Sequence, residues 1–166
     1  IKEQKKILVK HYIIDGNNLI GKIKTINLIQ KKNKQQSREK LALLLGSYFS
    51  KKKASINLHF DGFENDLIRV SGIKIIYSGS STADEKIKLE IERSKNPRNN
   101  ILITSDSNLA EFGRVCSCQV IKSEDFANQL LSLKYADEEQ TKIDAIHNTD
   151  EFKKLFGLKT FDKNDS

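Results

Sequence analysis

The stretch that decides the fold is Ile7 to Ile20, with the sequence ILVKHYIIDGNNLI. Its apolar, β-branched run ends in Ile13-Ile14 and predicts a buried strand. Asp15 follows directly, and the next residues, Gly16-Asn17-Asn18, predict a sharp turn that tolerates positive φ. Open α/β sheets usually build their sites at the carboxyl ends of buried strands. Asp15 is therefore the first candidate functional residue.

The rest of the chain alternates apolar, strand-like segments with segments of helical periodicity. We predict further strands at 54–60, 72–77, 101–104 and 118–121, and helices at 37–53, 82–94, 108–115 and 123–133. Residues 19–36 are polar and basic and predict a loop or a short helix, and Ser37 is the expected N-cap of the next helix. Alternation of this kind implies parallel strands with right-handed crossovers. The predicted fold class is therefore α/β, a three-layer sandwich.

With 166 residues the chain can form one domain with a substantial core. We assign residues 1–135 to this domain. Residues 136–166 are predicted to form an acidic helical extension in two pieces, near 137–146 and 150–156. The apolar cluster Phe152, Leu155 and Phe156 predicts that the last piece packs on or beside the domain.

The charge is strongly uneven along the chain. The formal net charge is +7, and the segment from Lys22 to Lys53 holds ten Lys or Arg residues against one acid, Glu39. From Lys122 to Ser166 the balance reverses, with seven lysines and ten acids. A basic surface attracts phosphates, although a lysine-rich solvated surface is the simpler alternative. The candidate nucleic-acid contacts are Lys22, Lys24, Lys31, Lys32, Lys34 and Arg38.

The sequence also limits where the protein acts. No apolar run approaches the roughly 18–20 residues of a membrane span, and no secretory signal is recognisable. Cys116 and Cys118 are the only cysteines. A pair two residues apart in a strand points to opposite faces, and no second Cys or His cluster completes a zinc site. We therefore expect two buried, reduced structural thiols and a cytoplasmic protein without membrane contact.

Acidic side chains follow most of the predicted strands. Asp15, Asp61 and Asp106 follow the first, second and fourth strands, and Asp84 begins the helix after the third. Because parallel strands end at one edge of the sheet, these carboxylates are expected to converge. Converging like charges require a cation, and hard oxygen ligands suit Mg²⁺ or Mn²⁺.

Each of these acids also has a purely structural explanation. Asp61-Gly62 is an ordinary turn dipeptide, and Asp106 suits the N-cap of the next helix. Asp84 lies in a first helical turn, where acids favour the helix dipole, and Thr82 with Glu85 matches a capping box. Individually none is specific; their common position at one sheet edge is the stronger signal.

Together these segments resemble a family. The motifs are Ile13-Ile14-Asp15-Gly16-Asn17-Asn18, Phe60-Asp61-Gly62, Ser81-Thr82-Ala83-Asp84-Glu85 and Ile103-Thr104-Ser105-Asp106. In this order they resemble the YacP-like NYN domain, a family of PIN-like metal-dependent nucleases, from about Ile7 to Leu133. The resemblance implies a five-stranded parallel sheet of order 3-2-1-4-5.

The resemblance also implies roles for particular residues. Asp15, Asp84 and Asp106 would be metal-binding catalytic acids, and Asn18 would orient Asp15 or a phosphate. Ser105 would support them by hydrogen bonding. Many PIN-like proteins carry another acid about two residues after the position of Asp106, where this chain has Asn108. The fourth ligand stays open between Asp61, Asn108 and Glu111.

These features predict a metal-dependent endoribonuclease that cleaves single-stranded RNA, with messenger RNA the expected substrate. Water activated by Mg²⁺ or Mn²⁺ would leave a 3′-hydroxyl and a 5′-phosphate. A non-catalytic RNA-binding or ribosome-associated module of the same fold is the main alternative, and a flap-type DNA nuclease is the third.

Other site classes are disfavoured by the sequence. No glycine-rich phosphate loop is present, so we expect no nucleotide cofactor. A phosphoreceiver domain would need paired acids after the first strand, and a dehalogenase-type phosphatase would need an acid where Asn17 stands. His11, His59 and His147 are scattered along the chain and predict no pairing of a nucleophile with a base.

Overall fold

Five parallel strands form a single sheet in the order β3-β2-β1-β4-β5. The computed structural model describes the backbone of residues 8–155 and the side chains of residues 8–149. The strands are β1 Lys10–Asp15, β2 Ala54–Phe60, β3 Ile73–Tyr77, β4 Asn100–Ile103 and β5 Gln119–Ile121. This arrangement confirms the predicted fold class and the strand order that the resemblance implied.

Helices cover both faces of the sheet. They are α1 Gly16–Ile20, α2 Lys24–Lys32, α3 Lys34–Phe49, α4 Ala83–Arg93, α5 Ser107–Val115 and α6 Ser123–Leu155. Ile14 of the central strand packs in a cluster with residues of α1, α2, α3 and the first turns of α6. Ile13 packs on the opposite face with residues of α4 and α5. Both isoleucines are completely buried, as the apolar run predicted for a central parallel strand.

The basic segment after β1 is more helical than the sequence analysis predicted. It contains α2 and the beginning of α3, and it is anchored by the buried side chains of Ile23 and Ile26. The predicted N-cap Ser37 is wrong: α3 begins at Lys34, and Asn33 is its cap, accepting a hydrogen bond from Gln36 N at 3.1 Å. Ser37 is a buried residue of the helix interior.

Helix α6 is continuous where separate pieces were predicted. It runs from Ser123 to Leu155, and no glycine or proline interrupts it. By its internal contacts the chain divides into two compact units, Ile1–Leu130 and Leu131–Ser166. The predicted boundary at residue 135 stays a prediction, and the predicted packing of Phe152, Leu155 and Phe156 lies outside the described side chains. No helix in residues 8–155 has the length and apolarity to cross a bilayer.

Gly16 is required by close packing rather than by an unusual backbone conformation. The predicted positive-φ turn is wrong, because Gly16 begins α1 and the glycines with positive φ in the described residues are Gly62, Gly72 and Gly79. A Cβ atom on Gly16 would lie 2.6 Å from the carbonyl oxygen of His59 and 2.6 Å from Cε1 of Phe60. The chain after Asp15 therefore passes directly against the end of β2.

Candidate functional site

Asp15 is the last residue of the central strand, and its carboxylate is largely buried at the carboxyl edge of the sheet. The pKa of Asp15 is raised from 3.8 to about 6, and burial is the largest cause of this net shift. Hydrogen bonds from Thr104 and from the backbone of Asn18 act in the opposite direction, and the charges of Asp61 and Asp106 raise the pKa further. The structure therefore brings Asp15, Asp61 and Asp106 within electrostatic reach of one another.

Thr104 links Asp15 to Asp106. Its hydroxyl donates to Oδ2 of Asp15 at 3.1 Å and accepts from the backbone N–H of Asp106 at 3.2 Å. Thr104 is fully buried, so the orientation of its hydroxyl is fixed by these two partners. Sequence analysis did not select this residue, because a threonine ending a strand is common.

Asp106 has the structural role that was proposed as the simpler alternative. It is the N-cap of α5, and its Oδ1 accepts from the N–H of Leu109 at 2.9 Å. One carboxylate oxygen is thereby engaged by the helix, while the charge of Asp106 still acts on Asp15. The capping and electrostatic roles therefore occur together.

Asp61 holds the loop after β2 against the same edge. Its Oδ1 accepts from the N–H of Ala83 at 2.7 Å, at the start of α4, and its own N–H donates to Oδ1 of Asn17 at 3.0 Å. Of the three candidates for a fourth ligand, Asp61 is the one whose charge raises the pKa of Asp15. Asn108 is exposed in the first turn of α5, and Glu111 pairs with Arg114 at 3.9 Å.

Asp84 occupies a different environment from the other acids. It lies in the first turn of α4, and its Oδ2 forms an ion pair with Nζ of Lys88 at 3.0 Å. The neighbouring capping motif is confirmed, since the hydroxyl of Thr82 accepts from the N–H of Glu85 at 3.2 Å. The catalytic role of Asp84 stays a prediction.

Asn18 connects three loops. Its Oδ1 accepts from the N–H of Ser105 at 2.9 Å and from the hydroxyl of Ser123 at 2.7 Å. Ser105 in turn accepts from the N–H of Ser123 at 2.9 Å and donates to the carboxylate of Glu124. Sequence analysis treated Ser123 and Glu124 only as a helix start, and their proximity to Ser105 depends on the pairing of β4 with β5.

Arg38 is not a surface contact, which corrects its assignment to the nucleic-acid-binding residues. It is 1% exposed, and burial lowers the pKa of its guanidinium. Nη2 donates to the carbonyl oxygen of Asp61 at 2.5 Å and Nη1 to that of Phe63 at 3.2 Å. The guanidinium also lies over the rings of Phe60 and Tyr77. Arg38 therefore fixes the loop that carries Asp61.

The remaining predicted nucleic-acid contacts are exposed: Lys22, Lys24, Lys31, Lys32 and Lys34. Lys22 approaches Glu124, with Nζ 3.8 Å from Oε1. Helix α3 ends where β2 begins, so its first residue, Lys34, lies toward the carboxyl edge of the sheet. Part of the basic segment is therefore on the same side of the protein as Asp15.

Sequence analysis missed a second polar cluster, which contains two of the histidines, His11 of β1 and His59 of β2. The carboxylate of Glu90 on α4 contacts Nε2 of His11 at 3.0 Å, Nε2 of His59 at 2.7 Å and the amide of Asn57. Burial raises the pKa of Glu90, but these hydrogen bonds outweigh it and bring the pKa down to about 2. Nδ1 of His11 also lies 3.0 Å from the hydroxyl of Ser55. The cluster borders a cavity of about 480 Å³ that Lys74, Lys86 and Arg93 also line.

Both cysteines are free, as predicted. Cys118 is buried as predicted, whereas the prediction that Cys116 is buried is wrong, because it is half-buried at the end of α5. Within residues 8–149 no group of three or more His, Cys, Asp or Glu side chains is arranged so that it could hold a metal ion by itself.

Comparison with known proteins identifies the family. The model of the YacP-like NYN domain matches residues 12–163. Two crystal structures of Rae1 (YacP) from Bacillus subtilis are similar in fold. A point mutant gives a TM-score of 0.69 at 17% identity, covering 82% of this chain and 85% of that one. The other structure gives 0.61 at 19% identity, covering 90% and 93%.

At these identities the structural likeness concerns the fold alone, and a search of curated proteins found no match. The family match, in contrast, spans most of the chain. The chain therefore belongs to the YacP-like NYN domain family, and its PIN-like sheet is a nuclease-type fold.

Proposed function

We propose that this protein is a metal-dependent endoribonuclease that cleaves single-stranded RNA, messenger RNA included, at the carboxyl edge of its sheet. The observation that carries the proposal is the buried carboxylate of Asp15. The charges of Asp61 and Asp106 raise its pKa, and Asp15 has no basic partner in the part of the chain that the structure describes. No lysine or arginine in the described residues forms an ion pair with Asp15 or Asp106. The two free thiols are consistent with a reducing cytoplasm as the site of action.

The donor set at this edge fits Mg²⁺ or Mn²⁺. Mg²⁺ commonly binds through one or two carboxylates, retains several waters and completes its shell with substrate phosphates. Asp15 and Asp106 would hold it, with Asp61 nearby, so a cage of three protein carboxylates is not required. In our proposal Asp84 becomes a metal ligand only if its ion pair with Lys88 is broken. A divalent cation in such a site supplies an activated water and stabilises the leaving oxygen.

The protein's own residues orient the reactants. Thr104 fixes the spacing of Asp15 and Asp106 through its two hydrogen bonds. Asn18 and Ser105 hold the loops after β1, β4 and β5 together, so the acids are presented on a rigid edge. The exposed lysines of α2 and Lys34 would attract the phosphate backbone toward this edge.

The alternative is a non-catalytic module that binds RNA, alone or on a ribosome. Such a protein would use the same lysines. It has no use, however, for a buried carboxylate whose ionisation is opposed by its surroundings, because that carboxylate would repel the phosphates. Binding without cleavage in the following experiment would favour this alternative.

Our first prediction concerns catalysis. Purified protein should cleave labelled single-stranded RNA with Mg²⁺ or Mn²⁺ and not with EDTA. Asp15→Asn and Asp106→Asn should each reduce the rate by more than about 100-fold. Losing a residue that only supports a metal ligand costs up to about 100-fold, and losing the ligand itself should cost more. Hydrolysis by water should leave 5′-phosphate and 3′-hydroxyl ends, whereas attack by the RNA 2′-hydroxyl would leave a cyclic phosphate.

Glu92→Gln is the matched control. It removes an exposed acid near the end of α4, away from the carboxyl ends of the strands. It should keep full activity. Asp61→Asn and Asp84→Asn, compared in the same assay, show which of the two supports Asp15. Cleavage that persists in EDTA or in both Asp15→Asn and Asp106→Asn would contradict the metal mechanism.

The second prediction concerns stability and pH in metal-free buffer. The pKa of Asp15 is raised to about 6, so between pH 3.8 and 6 the unfolded chain loses this proton while the folded protein keeps it. The contribution of Asp15 to stability is therefore full below this window and falls as the pH rises through it. Asp15→Asn should be more stable than the wild type at pH 8, by about 2 kcal/mol.

Denaturant unfolding at pH 4 and at pH 8 measures this difference. The two proteins should differ much less at pH 4, where the folded carboxyl is protonated and the unfolded one is only partly ionised, than at pH 8. A difference that is the same at both pH values would show that burial does not oppose the ionisation of Asp15.

The third prediction concerns the basic surface. Changing Lys31, Lys32 and Lys34 together to glutamine should weaken RNA binding and make its salt dependence shallower by about 2 in the slope of log K against log salt. The matched control changes Lys51, Lys52 and Lys53, which precede β2 at the opposite edge of the sheet. Equal effects of the two triple variants, measured by fluorescence anisotropy, would place the binding surface elsewhere.

A further inference from the structure

Phe63 is a large apolar side chain exposed beside the acidic edge. It is 68% exposed, and it lies two residues after Asp61 in the loop between β2 and β3. Its ring passes over Gly79, where an added Cβ would lie 3.7 Å from Cε1 of Phe63. Isolated exposed apolar residues are common in proteins. What distinguishes Phe63 is how firmly its backbone is held.

The loop that carries Phe63 is fixed from both sides. The buried guanidinium of Arg38 donates to the carbonyl oxygens of Asp61 and Phe63, at 2.5 and 3.2 Å. The N–H of Gly62 donates to the hydroxyl of Ser78 at 2.9 Å, and its carbonyl accepts from the N–H of Gly79 at 2.8 Å. Burying a charged guanidinium is costly unless its surroundings compensate. A buried cation, the guanidinium of Arg38, therefore holds this loop in one conformation.

The loop around Phe63 carries both acidic and apolar exposed side chains. Glu64 and Asp66 are exposed on the same loop and would repel a phosphate, whereas Leu67 adds a second exposed apolar side chain. An aromatic ring in this setting suits the face of a nucleobase rather than its phosphate, and proteins that bind single strands use aromatic side chains in this way.

Resting on the proposed function, we propose that Phe63 stacks on an unpaired base next to the scissile phosphate. The contact selects single-stranded RNA, because a base held in a duplex cannot present its face to the ring. Phe63 is thus a positioning residue. It places the strand relative to Asp15, while the lysines supply the attraction for phosphates.

The absence of tryptophan from the sequence makes a direct test possible. Phe63→Trp introduces a single reporter, to be titrated in EDTA with a single-stranded oligoribonucleotide. Tryptophan emission should be quenched by the oligonucleotide but not by an abasic strand of equal length. Val115→Trp is the matched control: Val115 is also exposed but ends α5, far from the carboxyl edge where α5 begins. Its emission should not change.

Substitutions of Phe63 distinguish a stacking contribution to RNA binding from an electrostatic one. Phe63→Ala should weaken binding of the oligoribonucleotide about tenfold, and this factor should be the same at low and at high salt. Phe63→Tyr should retain wild-type affinity. Because Phe63 is exposed, Phe63→Ala should unfold at the same denaturant concentration as the wild type.

The outcomes distinguish this inference from the function it rests on. Wild-type affinity in Phe63→Ala together with unquenched Phe63→Trp would overturn the stacking role alone and would leave Phe63 as a contact for a protein partner. Failure of the wild type to bind the oligonucleotide at all would overturn the proposed function as well.

Discussion

The burial of the Asp15 carboxylate at the end of the central strand is the constraint on which the rest of the site depends. Ile13 and Ile14 bury opposite faces of β1, so the strand cannot shift to expose the acid without exposing both cores. Burial then raises the pKa of Asp15, and two further acids raise it more. Such an arrangement is unfavourable for the free protein, and it is the basis of the proposed cation site.

The four residues after Ile14 each perform a different task at this edge. Asp15 supplies the charge, and Gly16 allows the chain to pass against the end of β2. Asn17 accepts from the N–H of Asp61, while Asn18 accepts from Ser105 and Ser123. The motif therefore links the central strand to the loops of its neighbours on both sides, which explains why local turn preferences alone gave an incomplete account of it.

The strands and most helices could be predicted because each depends on local periodicity and on short capping signals. The strand order required a resemblance to known proteins, since periodicity does not specify which strands are neighbours. Arg38 was misplaced because a basic segment suggests a surface, whereas its burial depends on two carbonyl groups more than twenty residues away. Thr104, Ser123 and Glu124 were missed for the same reason. Their roles arise from contacts between loops that only the folded sheet brings together.

Asp84 and Asp61 lie next to each other but have different surroundings. The resemblance selects Asp84 by its motif, but its carboxylate pairs with Lys88. Asp61, which sequence analysis left open as a turn residue, instead lies where its charge raises the pKa of Asp15. The two acids lie at adjoining positions, since Asp61 accepts from the N–H of Ala83 immediately before Asp84.

The most direct measurement of the central claim is a Mn²⁺ titration of the purified protein, followed by electron paramagnetic resonance. We predict saturable binding that is lost in Asp15→Asn and kept in Glu92→Gln. Equal binding by the wild type and Asp15→Asn would contradict it, because the ion would then be held by residues other than the buried acid at the end of β1.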